Sequence, residues 1–195
     1  MRERGLSVDH TTVFCWVQRY TPELDKRCRP ALHATTDSYR VDETDIKIKK
    51  QWHYLYRAVD SAGTLDFRLS PTRDAGAAER FFRKMLGACH TTAPRVITVD
   101  KNAAYPPAFA ALQQEHMLPG TCLLRQCKYL NNLAEQDHRF LNRRVNLGLG
   151  FSSFPTAWRT LQGYEVMHML RKGQLQGAER GDVLRRIASL RTCLD

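Results

Sequence analysis

The order of the secondary-structure elements predicts an α/β fold with a mixed β-sheet flanked by helices. Apolar and polar side chains alternate through three consecutive segments between residues 39 and 69, which indicates three antiparallel strands joined by short turns. After residue 74, segments with the 3.6-residue period of amphipathic helices alternate with two short apolar strands. That alternation is expected of parallel strands joined by helical crossovers. The predicted order is therefore β-β-β-α-β-α-β-α.

Turns separate the first three strands. Lys49 and Lys50 form the first turn, and residues 61–63 form the second, before a strand at residues 64–69. The first strand presents four side chains on one face, namely Asp42, Thr44, Ile46 and Ile48. The second strand carries aromatic side chains at every second position, Trp52, Tyr54 and Tyr56. We expect core packing, rather than stacking on nucleic-acid bases, from the indoles of Trp52 and Trp158.

Helical patterns dominate the second half of the chain. Asp74 is placed to cap a helix whose apolar stripe consists of Ala78, Phe81, Phe82, Met85 and Leu86. Later elements are predicted at residues 95–99 (strand), 106–115 (helix), 121–126 (strand) and 133–145 (helix). A last helix begins at Ser153 and ends at Gly173. Its inward residues are predicted to be Leu161, Tyr164, Met167 and Leu170, and residues 176–195 form a basic tail.

This element order is that of the ribonuclease H-like fold. Right-handed crossovers bring the fourth strand beside the first. Asp42 and Asp100 then stand on neighbouring strands at the centre of the sheet, and the helix at residues 133–145 supplies Glu135, with 34 residues between Asp100 and Glu135. We assign residues 38–175 to this catalytic domain.

Residues 1–27 resemble the second half of a helix-turn-helix, and residues 28–37 form a linker. Gly5 is the turn, and a helix at residues 6–20 has an apolar stripe of Val13, Trp16, Val17 and Tyr20. Its opposite face carries candidate DNA-binding residues His10, Thr11, Gln18 and Arg19. An ordinary amphipathic helix explains the same pattern.

Composition favours a folded protein with an anionic partner. The 195 residues are 43% hydrophobic and carry a net charge of +10, with the basic residues spread through folded segments, so nucleic acid is the favoured partner. No apolar run approaches a membrane span, and the N-terminus lacks a secretory apolar region. We expect a cytoplasmic, nucleoid-associated bacterial protein. The six cysteines form no C-x-x-C pair, which favours scattered reduced thiols over a zinc site.

Asp42, Asp100 and Glu135 are the candidate catalytic and metal-binding residues. Two strand-end aspartates and a helical glutamate can hold two divalent ions about 4 Å apart, the arrangement used for in-line phosphoryl transfer. Clustered carboxylates repel one another unless Mg²⁺ or Mn²⁺ neutralises them. Each acid taken singly is typical of a solvated surface residue.

Candidate DNA contacts follow the acids in the sequence. Glu135 shares one face of its predicted helix with His138 and Arg139, and Arg143 and Arg144 come after them. That face would present one acid and one fixed cation to a phosphate backbone. Lys101, beside Asp100, is a further candidate. A solvated helix face is the alternative for the arginines.

Several motifs resemble the insertion-sequence-six family of DDE transposases. They are the segments at residues 6–13, 41–44, 54–60, 98–101, 135–139 and 163–173. The resemblance covers residues 1–175 and implies a ribonuclease H-like catalytic domain, with Asp42, Asp100 and Glu135 matching the catalytic triad. It also implies metal-dependent cleavage and strand transfer at terminal inverted repeats, target DNA as a second substrate, and a homodimer or higher oligomer on DNA.

Some positions depart from the family pattern. Relatives carry more sequence before the point that matches Met1, which indicates an N-terminally truncated or degenerate copy. Asn142 stands where relatives usually have a basic residue, Asp45 where an aromatic is usual, and Cys15 where arginine is usual. Two alternatives therefore accompany an active transposase: a catalytically impaired DNA-binding remnant, and a ribonuclease H-like nuclease or resolvase.

Overall fold

The computed structural model describes residues 8–61, 63–127 and 151–176, which form four helices and five strands. Helix α1 spans His10–Cys28 and is followed by a 3₁₀ turn at Arg29–Ala31. The strands are β1 (Ser38–Ile48), β2 (Gln51–Val59), β3 (Thr64–Ser70), β4 (Val96–Val99) and β5 (Leu123–Gln126). The remaining helices are α2 (Ala75–Leu86), α3 (Tyr105–Gln114) and α4 (Phe154–Lys172). The helix predicted at residues 133–145 lies outside the described residues.

The five strands form one mixed sheet in the order β3-β2-β1-β4-β5. Strand β2 pairs antiparallel with both β1 and β3, whereas β4 runs parallel to β1 and β5 runs parallel to β4. The predicted position of the fourth strand beside the first is therefore confirmed, as is the ribonuclease H-like order of the described elements.

Helices α2 and α3 cover one face of the sheet. The Asp74 carboxylate accepts a hydrogen bond from the Ala77 backbone nitrogen at 2.6 Å, which confirms the predicted cap of α2. Burial of the predicted stripe is almost complete, since only Leu86 stays partly exposed. The core on this face combines sheet and helix residues, including Tyr39, Val41, Ile97, Val99, Phe81, Phe82, Met85, Tyr105 and Leu112.

Helix α4 packs on the opposite face. Ala157 and Leu161 meet the apolar side chains of the antiparallel strands, Ile46, Ile48, Leu55, Phe67 and Leu69. The Trp158 ring lies 5.0 Å from the Phe67 ring, which confirms its predicted packing role. The Ser153 cap and the left-handed Gly173 at the end, with φ of 71°, are also as predicted. Met167 is exposed, so its predicted inward orientation is wrong.

Helix α1 is longer than predicted and packs along α4. It continues through Pro22 to Cys28, past the predicted end at residue 20. Gly163 permits the close approach, because a Cβ atom there would lie 3.0 Å from the Thr21 hydroxyl. The buried face of α1 is Thr21, Asp25 and Cys28.

The predicted apolar stripe of α1 is wrong in part, because Trp16 and Tyr20 are exposed. Polar contacts accompany the apolar burial of Cys28 on the inward face. The Asp25 carboxylate accepts hydrogen bonds from Arg29 and from Gln162 of α4, each at 3.1 Å. Burying a carboxylate is tolerated when cationic and amide donors satisfy it.

A buried ion pair joins the sheet to α4. The Nε atom of Arg57 on β2 lies 2.7 Å from Glu165 Oε1, and both side chains are 1% exposed. A second nitrogen, Arg57 Nη2, donates to Glu165 Oε2 at 3.1 Å. Removal of one partner leaves an uncompensated charge in the interior.

We predict that Arg57→Met lowers the free energy of unfolding by about 3–5 kcal/mol, because it leaves the buried Glu165 carboxylate without its cationic partner. The double variant Arg57→Met/Glu165→Leu should recover most of that loss, since no charge then remains buried. Urea unfolding of both variants measures the effect. A double variant no more stable than Arg57→Met would contradict this explanation.

Candidate active site

The parallel pairing of β1 with β4 aligns the two predicted aspartates. Ser38 lies opposite Val96, Tyr39 opposite Ile97 and Arg40 opposite Thr98, an offset of 58 residues in each pair. The pairs end at Arg40 and Thr98, and extending the same offset by two residues along each strand places Asp42 beside Asp100. Neighbouring strands lie about 4.8 Å apart. The sheet thus brings two carboxylates that are far apart in sequence to adjacent positions.

Both aspartates belong to the face of the sheet that α4 covers further along β1. Side chains alternate in direction along a strand. Val41 and Val99 are buried against α2 and α3. Their neighbours Asp42 and Asp100 therefore leave the sheet on the opposite side, where both are half-exposed.

Backbone N–H groups hold the two carboxylates. The Glu43 nitrogen donates to Asp42 Oδ1 at 2.9 Å, and the Asn102 nitrogen donates to Asp100 Oδ1 at 3.0 Å. The second contact is an Asx turn, in which an aspartate binds the backbone two residues ahead. These hydrogen bonds restrict the rotation of each carboxylate.

Asn102 connects the Asp100 loop to β1. Its side-chain amide donates to Glu43 Oε1 at 2.8 Å, across the gap between the two elements. Its side-chain oxygen accepts from the Ala104 nitrogen at 3.0 Å, at the start of α3. The residue therefore ties together the neighbour of Asp42, the loop that carries Asp100 and the following helix.

Glu43 lies behind the two aspartates in a largely buried polar pocket. It pairs with Arg73, and only 3% of its side chain is exposed. Tyr56 stands opposite Glu43 on β2. Among the described residues, the buried hydroxyls of Tyr56 and Tyr105 have no hydrogen-bond partner. This arrangement concentrates polar groups beneath the aspartates.

Burial raises the pKa of the Glu43 carboxyl, and the negative charge of Asp100 raises it further, whereas hydrogen bonds from Asn102 and Arg73 oppose the shift. Burial likewise raises the pKa of Tyr105, with the charges of Glu43, Asp100 and Asp42 adding to the effect. The three carboxylates therefore act on a common region of the protein.

The other predicted site residues fall in several places. Lys101 is exposed directly after Asp100, and His10, Thr11 and Arg19 are exposed on α1. The Gln18 amide instead donates to the Thr160 hydroxyl of α4 at 2.9 Å, so this side chain serves helix packing. The remaining predicted residues, Glu135, His138, Arg139, Arg143 and Arg144, lie outside the described residues.

The donor chemistry of the aspartate pair fits a hard divalent cation. Carboxylate oxygens are the ligands that Mg²⁺ prefers in proteins. Within residues 8–61, 63–127 and 151–176, no group of three acidic, histidine or cysteine side chains is close enough to hold a metal ion. The Asp42 and Asp100 carboxylates are thus two candidate ligands, and the third predicted ligand, Glu135, lies outside the described residues.

Sequence reasoning gave no role to Glu43, Arg73 or Asn102. The Asp-x-Asn spacing of residues 100–102 is typical of an Asx turn and would have identified Asn102. Glu43 follows Asp42 and points to the other face of β1, where a charged residue needs a partner. Nothing local in the sequence indicates that Arg73, 30 residues away, is that partner.

A ribonuclease H-like sheet is the fold of the polynucleotidyl transferases, a class that includes the enzymes that cut and join DNA. A family model described as a DDE domain matches residues 36–174. The chain is 38% identical over 173 residues to the transposase for insertion sequence-like element IS431mec of Staphylococcus aureus strain N315, covering 88% of this chain and 75% of that protein. It is 37% identical, with the same coverage, to the S. aureus transposase for element IS257 in transposon Tn4003.

The chain belongs to the insertion-sequence-six family of DDE transposases, and it is a DNA transposase by descent. Solved structures agree on the fold. A simian T-cell lymphotropic virus intasome in complex with a PP2A regulatory subunit matches 75% of this chain and 52% of that one, with a TM-score of 0.52 and 12% identity. The HTLV-2 integrase catalytic core in complex with magnesium matches 75% and 94%, with a TM-score of 0.50 and 15% identity.

The raised pKa of Glu43 predicts a pH-dependent difference in stability between the wild type and Glu43→Gln, measured in EDTA. A carboxyl whose pKa is higher in the folded state than in the unfolded state favours folding while it is protonated. The free energy of unfolding of the wild type, relative to that of Glu43→Gln, should therefore fall as pH rises from about 4.5 through the pKa of Glu43 in the folded protein. Urea unfolding of both proteins across this range measures the difference.

Glu23→Gln is the control. A hydrogen bond from Arg27 lowers the pKa of Glu23. The stability of the wild type relative to Glu23→Gln should therefore increase as pH rises. A difference for Glu43→Gln that is flat, or that rises with pH, would contradict the burial argument.

Proposed function

We propose that this transposase cleaves DNA at the ends of its insertion sequence and transfers those ends to target DNA, with Asp42, Asp100 and Glu135 as catalytic acids. The observation that supports the proposal is the parallel register of β1 and β4, whose 58-residue offset, extended by two residues, brings Asp42 beside Asp100. Glu135 completes the set because it matches the family's helical glutamate. Terminal inverted repeats are the proposed recognition sequence.

The three carboxylates would hold Mg²⁺ or Mn²⁺. A bound pair of such ions supplies electrostatic stabilisation for in-line displacement at phosphorus. Oxygen ligands suit both ions. The HTLV-2 integrase catalytic core shares this fold and was solved in complex with magnesium, which supports the same choice.

The residues of the chain then have separate tasks. Asp42 and Asp100 present carboxylates whose orientation is fixed by the Glu43 and Asn102 nitrogens. Lys101, exposed beside Asp100, is suited to a phosphate oxygen. We assign further DNA contacts to the exposed His10, Thr11 and Arg19 of α1, and to four residues near Glu135, namely His138, Arg139, Arg143 and Arg144.

One observation besides the family favours DNA as the partner. The net charge of +10 favours a polyanion.

Joining two element ends needs two active sites, so we propose at least a homodimer when the protein is assembled on DNA. We propose the bacterial nucleoid as its site of action. No helix in the described part of the chain is long and apolar enough to cross a membrane.

We predict that Asp100→Asn abolishes strand cleavage and joining of oligonucleotides that carry the element's terminal repeat, with Mg²⁺ present. Loss of one carboxylate removes a proposed metal ligand. Asp45→Asn is the control, because Asp45 is an exposed acid on β1, the strand of Asp42, and it points to the other face of the sheet. Gel separation of labelled products measures both variants.

Product formation by Asp100→Asn at the wild-type rate would refute the assignment of the acids. Cleavage that is indifferent to the terminal repeat would indicate a ribonuclease H-like nuclease. DNA binding by the wild type without any metal-dependent product would indicate an inactive remnant.

Asn102 is predicted to be a positioning residue. Asn102→Ala should lower the rate of product formation about 10–100-fold, the range for groups that orient metal ligands. The Mg²⁺ concentration for half-maximal rate should rise, a change that a purely structural role would not produce. Asn102→Asp keeps the acceptor for the Ala104 nitrogen and replaces the donor to Glu43 with a carboxylate that repels it. It should resemble Asn102→Ala if the Glu43 contact matters, and wild type if only the turn does.

A further inference from the structure

The turn between β1 and β2 holds two lysines where the backbone favours other residues. Ile48 pairs with Gln51, so the loop contains only Lys49 and Lys50. Both have positive φ, 50° and 66°, which is the signature of a type I′ turn. Asn-Gly is preferred in such turns because glycine lacks the Cβ atom that causes strain at positive φ, and asparagine tolerates that conformation through local hydrogen bonds. The two cations therefore occupy the tip at a conformational cost.

A third lysine and an exposed indole flank this turn. The Lys47 ammonium lies 4.5 Å from the centre of the Trp52 ring, a cation–π contact. Trp52 is 54% exposed, so the expectation that it packs in the core is wrong. Residues 46–53 contain three lysines and no acidic residue. We call Lys47, Lys49, Lys50 and Trp52 the hairpin tip.

The hairpin tip is firmly supported. Below it, Ile46 and Ile48 are buried against α4. The Lys49 nitrogen donates to the Phe151 carbonyl at 2.9 Å, and the Phe151 nitrogen donates to the Lys47 carbonyl at 3.1 Å. Backbone hydrogen bonds thus fix the backbone from which the lysine side chains extend.

The hairpin tip projects past the aspartate pair. Strand β4 ends at Val99, whereas β1 continues for six residues after Asp42, to Ile48. Lys49 lies seven positions after Asp42, and a strand rises about 3.3 Å per residue, which gives a distance of about 23 Å. A duplex rises about 3.4 Å per base pair, so this span equals about seven base pairs.

We propose that the hairpin tip binds the DNA phosphate backbone about seven base pairs from the phosphodiester that is cut. The inference rests on the proposed function, because the distance is counted from Asp42 and Asp100. Lys49 and Lys50 contact phosphates, and Lys47, held over Trp52, adds a third cation. Phosphate contacts of this kind are independent of sequence and position the duplex.

Two double variants separate the charge from the turn. Lys49→Asn/Lys50→Gly removes both cations and supplies the preferred turn sequence, whereas Lys49→Arg/Lys50→Arg keeps the charge. Affinity of the full chain for a fluorescent duplex is measured in EDTA as a function of salt. Each lost phosphate contact lowers the slope of log affinity against log salt by about 0.9.

We expect Lys49→Asn/Lys50→Gly to unfold at a higher urea concentration than wild type, and to bind DNA with a slope smaller by about 2. The arginine variant should keep the wild-type slope. The control Arg80→Gln/Arg95→Gln removes two exposed cations from α2 and from the opposite end of the sheet. It should leave the slope unchanged.

An unchanged slope in Lys49→Asn/Lys50→Gly would overturn the proposal, and so would an equal loss of slope in the Arg80/Arg95 control. An altered oligomeric state with an unchanged slope would assign the surface to contacts between copies and would also overturn it. The cleavage assay is independent of these results. A fully active Asp100→Asn variant refutes the proposed function, whereas an unchanged slope refutes only the hairpin contact.

Discussion

The parallel pairing of β1 with β4 is the constraint on which the site depends. Asp42 and Asp100 are distant in sequence, and neither has a local reason to lie near the other. The register that sets Arg40 opposite Thr98 also sets the two aspartates side by side. A slip of one residue would turn one of them to the other face of the sheet. Burial of Val41 and Val99 against α2 and α3 opposes such a slip.

The polar layer behind the aspartates shows how the fold accommodates charge at its centre. Glu43 is largely buried, yet it contacts Arg73 and Asn102, so its charge is compensated. Through Asn102 the same contacts reach the loop that carries Asp100. On the other face of the sheet, the buried ion pair of Arg57 with Glu165 likewise compensates both charges, and it joins β2 to α4. Buried ion pairs of this kind are weak sources of stability, but breaking one is costly.

Sequence patterns predicted what depends on period and caps, including the strand order, the Asp74 cap and the Gly173 end of α4. These patterns did not predict burial that depends on a partner far away in the sequence. Asp25 is buried on α1 because Gln162, 137 positions away, satisfies it, and the pattern instead assigned the exposed Trp16 and Tyr20 to the inward face. Trp52 is exposed because β1 and β2 extend beyond the rest of the sheet. The placement of Asp42 and Asp100 on neighbouring strands followed from topology, whereas no local pattern in the sequence indicates the Glu43–Arg73 pair.

Binding of Mn²⁺ tests the central claim most directly, because it asks whether the aligned aspartates form a metal site without depending on a DNA substrate. Calorimetric titration, with electron paramagnetic resonance of bound Mn²⁺ as a second readout, would compare wild type with Asp42→Asn, Asp100→Asn and Asp45→Asn. We predict that Asp42→Asn and Asp100→Asn each weaken Mn²⁺ binding at least tenfold, as expected for loss of a ligand, while Asp45→Asn binds like wild type. Wild-type affinity in both Asp42→Asn and Asp100→Asn would contradict the assignment of these aspartates to a metal site.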